Sequence, residues 1–409
     1  MKTMYLDISA PRIVLTRLLA RFSRNAYYAP TSALHLTTLA EPPLPAPDWT
    51  RIRNRMCGIC GSDLHQLTVD AGLDVAPVAL PSHQRIYLGH EMVGTIIEIG
   101  NAVRDFKMGD RVVRWGRADD CVARGRQELC PACARGHRVL CEVASEEREH
   151  HPIGGGFGDT FITPASTLLR VPDSLSDEQA TLIEPAAVAI HAASRVDLPG
   201  FAKSRSQPKI LVLGCGVIGY LLIQALCAFQ PDCDITALAQ FDWQAELACK
   251  YGANRTFLSR DDGYVETARI TGAKIYASRG NRMLLGGFDV VFDVVGIEST
   301  LNNALRWTRA GGTVVLVGVN LHRMKLDVTP VWYQEVNLIG AVGHDVVNWN
   351  SKNISTFELA MEWMQSTQLK TAGLVTHHFP LDDYRTAFNV AIDKRTHRSI
   401  KVVFDLSRT

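Results

Sequence analysis

The sequence predicts an α/β protein in two parts, a β-rich unit and a doubly wound unit built on a parallel sheet. Residues 1–190 read as short strands broken by Gly and Pro, whereas from Lys209 apolar strands alternate with helical stretches. At 409 residues the chain also exceeds the roughly 100–200 residues that one core usually organises.

Each element follows from local pattern. MVGTIIEIG (92–100), GDRVVRW (109–115) and GDTFITP (158–164) are rich in β-branched residues and end in turn residues. The proline-rich EPPLPAPDW (41–49) is an extended connector into the strand before Cys57. After residue 175, SDEQATLIEPAAVAIHAASRV opens on a Ser-Asp-Glu helix entry and continues apolar at helical spacing. KILVLG, DITALA, FDVVFDVV and GGTVVLVG are the strands of βαβ units. The tail LVTHHFPLDDYRTAFNVAIDKRTHRSIKVVFDL returns to strand, helix, strand.

Composition narrows the class. Apolar residues make up 46% and charged residues 21%, which is globular usage. With 43 Lys+Arg against 42 Asp+Glu, the chain as a whole has no basic field for nucleic acid or an anionic membrane, and neither is expected as a partner. The opening MKTMYLDISAPRIVLTRLLARF carries Asp7, Arg12, Arg17 and Arg21 and so lacks a signal-peptide core; a cytoplasmic location is expected. Residues 210–229 contain no charge and are long enough to span a bilayer, but Gly214, Gly216 and Gly219 mark a turn inside the run. Ten cysteines are too few for a disulfide scaffold, and four of them cluster at 121–141, which suggests a metal.

That glycine pattern carries chemistry. A strand runs into Gly214-Cys215-Gly216-Val217-Ile218-Gly219 and then into a helix. The first Gly permits a tight turn, the second lets backbone approach a pyrophosphate, and the third brings helix against strand. The phosphates then sit at the helix N-terminus. The second strand ends Ala239-Gln240-Phe241, which places Ala239 rather than an acid at the ribose. This leaves room for a 2′-phosphate; alternatively, a shifted loop lets Asp242 take the 2′-hydroxyl. NAD and NADP both remain open.

Cys57-Gly58-Ile59-Cys60-Gly61-Ser62-Asp63-Leu64-His65, with Gly89-His90-Glu91 downstream, offers a thiolate, an imidazole and a carboxylate that could converge on one zinc. GICGSDLH and GHE, then a cysteine cluster, then the glycine-rich turn, resemble the zinc-dependent medium-chain dehydrogenase/reductase family over about residues 51–404. The resemblance implies a GroES-like catalytic domain from 1–188 and 346–409, with a Rossmann domain at 189–345 between them. It implies Cys60 and His90 as catalytic-zinc ligands, Glu91 as a carboxylate at the metal, and Asp63 as the residue that orients the ligand histidine. Ser62 and His65 match a relay that carries the alcohol proton away, and Cys57 is a core thiol. Instead of a further cysteine ligand, the chain has Glu184 in IEPAAVAIHA, similar to the sorbitol, glucose and threonine dehydrogenase branch, in which a glutamate sits at or near the zinc. Cys121, Cys130, Cys133 and Cys141 match a structural-zinc lobe except for a longer first gap.

The implied reaction is hydride transfer between an alcohol, such as a polyol or sugar, and NAD or NADP, with zinc as Lewis acid. The partners expected are a small alcohol or carbonyl compound and further copies of the chain in a homodimer or homotetramer. A zinc-free enone or quinone reductase and a non-catalytic cofactor-binding protein are the rival readings. His83, His137, His150, His151, His344, His377 and His378 have no spacing that joins them to a site.

Overall fold

The computed structural model describes residues 1–70, 85–144, 151–197 and 207–407; His83 and His150 lie outside them. The chain divides into two compact units, Met1–Glu184 with Thr371–Thr409, and Pro185–Lys370.

The first unit opens with β1 (Lys2–Asp7), β2 (Leu34–Thr38), β3 (Trp49–Gly58) and β4 (Arg85–Tyr87), then β5 (Glu91–Ile99), β6 (Arg111–Arg114), β7 (Thr160–Pro164) and β8 (Leu168–Arg170). The second unit contains β9 (Lys209–Leu213), β10 (Asp234–Ala239), β11 (Arg255–Leu258), β12 (Lys274–Ser278) and β13 (Asn281–Leu285). It continues with β14 (Phe288–Asp293), β15 (Thr308–Leu316), β16 (Asn337–Gly340), β17 (Val346–Trp349) and β18 (Lys352–Ser355). The tail supplies β19 (Val375–Phe379) and β20 (Lys401–Asp405).

In the first unit the main sheet runs β19-β20-β3-β5-β6-β8, with β7 also on β3. The tail enters it because β20 pairs antiparallel with β3, Phe404 opposite Cys57. Phe404 then stacks edge-on against Phe157, ring centroids 4.9 Å apart, and against Phe388 at 5.8 Å. All three rings are fully buried. Burying each such side chain contributes about 1.5–3 kcal/mol towards holding the returning segment in place.

The second unit is the doubly wound sheet that the sequence pattern predicts. Its order is β11-β10-β9-β14-β15-β16, and every pair is parallel. The charge-free run divides into β9, a glycine turn and the helix Val217–Phe229, which is apolar on nearly all sides because it is buried. Among the described residues no helix is long and apolar enough to cross a membrane. Residues 346–370, which the family resemblance implied to belong to the catalytic domain, pack within this second unit. Gln224 bonds the backbone of Lys370 in both directions, and Trp349 and Trp363 meet Phe229 at 5.4 and 5.6 Å.

Candidate active site and metal centres

Strand β3 ends at Gly58, and the chain turns through extended Cys60 into the helix Gly61–Leu67. Asp63, buried in the first turn, accepts the Cys60 N–H at 2.9 Å and the Gly89 N–H at 3.4 Å. Its carboxylate also lies 3.6 Å from His90 Nδ1. One carboxylate thus ties together the two segments that carry Cys60 and His90, and holds the His90 ring from its Nδ1 side. Gly89 has φ +88°, and a Cβ there would stand 2.6 Å from the Phe157 backbone nitrogen, so the turn before His90 requires glycine. Gly58 is needed for another reason: a Cβ would stand 2.2 Å from Oε2 of Glu91.

The ligand atoms of Cys60, His90 and Glu91 lie within 4.8 Å of one another. Glu91 is fully buried and its two oxygens receive the equally buried Lys401 ammonium at 2.7 and 2.5 Å; Lys401 also donates to the Ile59 carbonyl. Sequence reasoning missed Lys401, which comes from β20, 310 residues away in the chain. Glu184, in the first turn of the helix Ile183–Ser194, is not part of the converged trio, and no cation pairs with it among the described residues. Its carboxyl pKa is pushed up to about 7, first by burial and then by the charges of Glu91 and Asp63, against the pull of His90 and Lys401. For His90, burial opposes the imidazolium, but the charges of Asp63 and Cys60 prevail and raise its pKa well above the ordinary value. The His90 shift reflects the anionic groups gathered round it, and thiolate, imidazole and carboxylate form a donor set suited to zinc. Cys57 is fully buried and burial pushes its thiol pKa up, as befits a core residue.

The relay residues are less closely joined. His65 is half-buried with Nδ1 3.1 Å from Asp70. Ser62 shares the same helix, but among the described residues no hydrogen bond joins it to His65.

The cysteine lobe assembles despite its long first gap. Sγ atoms of Cys121 and Cys141 lie 3.7 Å apart, and those of Cys130 and Cys141 4.0 Å apart. A disulfide would need about 2.05 Å, whereas four thiolates at about 2.3 Å from one tetrahedral zinc stand about 3.8 Å apart. All four cysteines are free, and their sulfurs converge within 4.8 Å. Backbone N–H groups of Cys133 and Glu142 pull the Cys130 thiol down to about 6, towards the thiolate. Within the inserted stretch the Ala123 N–H donates to Asp120 at 2.8 Å, and Asp120 is itself paired with buried Arg138 at 2.7 Å.

In the second unit, Gly214 adopts φ +108° after β9, and Gly216 precedes the helix Val217–Phe229. A Cβ on Gly219 would lie 2.0 Å from the Gly214 carbonyl, so helix and turn meet only through glycine. The turn, with Val217 and Ile218 opening the helix, leaves backbone N–H groups at a helix N-terminus for phosphate. Ala239 is fully buried; the exposed residue after β10 is Gln240. Asp242 is paired with Arg260 at 2.8 Å, a residue beyond β11 that sequence reasoning did not single out.

Comparison with known proteins agrees with this arrangement. Residues 46–173 match the alcohol dehydrogenase GroES-like domain, and residues 217–366 match the zinc-binding dehydrogenase domain. D-arabinitol dehydrogenase 1 of Uromyces fabae is 30% identical, covering 86% of this chain and 88% of its own. Sorbitol dehydrogenase of Arabidopsis thaliana is 27% identical, over 89% and 90%. The crystal structure of 2R,3R-butanediol dehydrogenase from Bacillus subtilis superposes with a TM-score of 0.67 at 26% identity, over 91% of this chain and 96% of that one. The chain belongs to the zinc-dependent medium-chain alcohol dehydrogenase family.

Proposed function

We propose that this protein is a zinc-dependent dehydrogenase that oxidises a secondary hydroxyl of a polyol or related sugar alcohol with NAD or NADP. The observation that carries the reading is the convergence of Cys60, His90 and Glu91 within 4.8 Å, near a Glu184 that forms no ion pair among the described residues. A bound zinc would supply Lewis-acid polarisation of the substrate oxygen. Cys60, His90 and Glu184 would hold it, since Lys401 already neutralises Glu91 and leaves Glu184 as the unengaged carboxylate. Asp63 fixes the His90 ring, and Ser62 and His65, with Asp70 beside His65, lead the hydroxyl proton away. The four cysteines of the lobe would hold a second, closed zinc without a catalytic position.

Gly214, Gly216, Val217, Ile218 and Gly219 would cradle the pyrophosphate, with the ribose near Ala239 and Gln240. Because Asp242 is engaged by Arg260, no free carboxylate follows β10 immediately, which favours NADP. The relatives named for arabinitol and sorbitol support the polyol class. Among the described residues β16 ends its sheet with Leu338 exposed on it, which supports association into a homodimer or homotetramer. We also place the protein in the cytoplasm. The test is reduction of NADP and NAD by the purified chain across polyols, simple secondary alcohols and enones. Turnover confined to enones, or none that depends on zinc, would remove the reading.

A further inference from the structure

The helix Ala10–Ala20 is mounted the wrong way round for a helix of a globular protein. Its apolar stripe faces water: Val14, Leu15, Leu18, Leu19 and, just past its end, Phe22 are 49, 39, 49, 42 and 90% exposed. Spaced at 14, 15, 18, 19 and 22, these five lie on one helical face. The opposite side carries buried Thr16 and is fastened by polar groups. Arg12 donates to the carbonyls of Pro30 and Ser32, and Arg17 donates to the carbonyl of Val69. A surface helix normally buries such a stripe and exposes its polar groups.

The charge around the stripe is mainly positive: Asp7 pairs with Arg12 at 3.3 Å at the start of the helix, and no acid follows until Glu41. Residues 8–40 contain Arg12, Arg17, Arg21 and Arg24 and no Asp or Glu, a formal +4 inside a chain of +1. The near-neutral total, from which no membrane partner was expected, conceals this patch. Arg21 and Arg24 are exposed at the end of the stripe, beside Phe22. A symmetric pairing of two copies through this face would set arginine against arginine with no acid in the segment to neutralise them. An anionic surface with an apolar interior meets both features at once.

We propose that this face docks reversibly on an anionic phospholipid bilayer. The helix lies in the interface, with Val14, Leu15, Leu18, Leu19 and Phe22 against the acyl boundary and Arg21 and Arg24 among the headgroup phosphates. It does not span: its 11 residues are too few. The docking is independent of the dehydrogenase reading.

The experiment is co-sedimentation of the full chain with vesicles of phosphatidylcholine alone and of phosphatidylcholine mixed with phosphatidylserine. The wild type should bind the anionic vesicles, leave the neutral ones, and release as salt is raised. Leu18→Gln with Phe22→Gln, and separately Arg21→Gln with Arg24→Gln, should each weaken binding by about tenfold or more. Val265→Gln, an exposed apolar site elsewhere, should not change it. Thermal melts matching the wild type show that the variants are folded. No sedimentation with anionic vesicles, equal binding to neutral ones, or binding unchanged in both helix variants would overturn the proposal. So would a larger mass for the wild type than for the helix variants by light scattering, which would make the occupant a protein.

Discussion

At the scale of single residues the site turns on two carboxylates in different company, fully buried Glu91 and half-buried Glu184. Glu91 has a cation of its own in Lys401, and Glu184 has none among the described residues. Glu184→Ala should therefore cut turnover by about 10- to 100-fold or more and lower zinc occupancy. Folding should barely change, since a carboxylate in a first helical turn contributes only about 0.3–1 kcal/mol. Elemental analysis beside kinetics checks it, and full zinc with near-native turnover would transfer the ligand role to Glu91. Lys401→Met should behave in the opposite way. It strands the buried charge of Glu91, a loss of about 3–5 kcal/mol, and should show first as a lower unfolding temperature. Cys60, His90, Glu91 and Asp63 could be singled out because each sits in a short motif, and the structure brings these motifs together. Lys401 could not, because only the register of β20 against β3 brings it to Glu91.

At the scale of elements, local pattern spoke for most of the fold. The charge-free run of 210–229 separated correctly into strand, turn and helix because its glycines are where a backbone must reverse and then pack tightly. Gly219→Ala tests that packing. A methyl 2.0 Å from the Gly214 carbonyl forces helix and turn apart, so NAD(P)H affinity, read by fluorescence titration, should fall by about tenfold or more. In the cysteine lobe the unusual spacing proved compatible with convergence, and Ala123 of the added stretch is bonded to Asp120 just before the first cysteine. Cys130→Ser should release the lobe's metal and lower the unfolding temperature while the other zinc stays, because a closed zinc site contributes directly to folding. A variant that keeps both zinc and melting temperature would sink the assignment. The helix Ala10–Ala20 and the hairpin β12-β13 were not read from the sequence. Neither buries an apolar face of regular period: the helix turns its stripe outward and the hairpin is largely exposed.

At the scale of the whole molecule, one unit carries the Cys60, His90 and Glu91 cluster and the other the glycine turn, and each matches its own domain of one family. Whole-chain numbers were informative about class and misleading about detail, since a net charge of +1 averages over a +4 segment at residues 8–40. The placement of residues 346–370 was hidden in the same way. Strand and helix patterns mark elements without saying which core they join, and here aromatic contacts of Trp349 and Trp363 decided it. The central claim, two zinc sites of which one is catalytic, is met most directly by counting zinc in the as-purified chain and in Cys60→Ser. The account predicts about two zinc per wild-type chain and about one in the variant, with polyol-dependent cofactor reduction lost. A wild type that turns over polyols without zinc, or a Cys60→Ser chain with undiminished zinc and turnover, would contradict it.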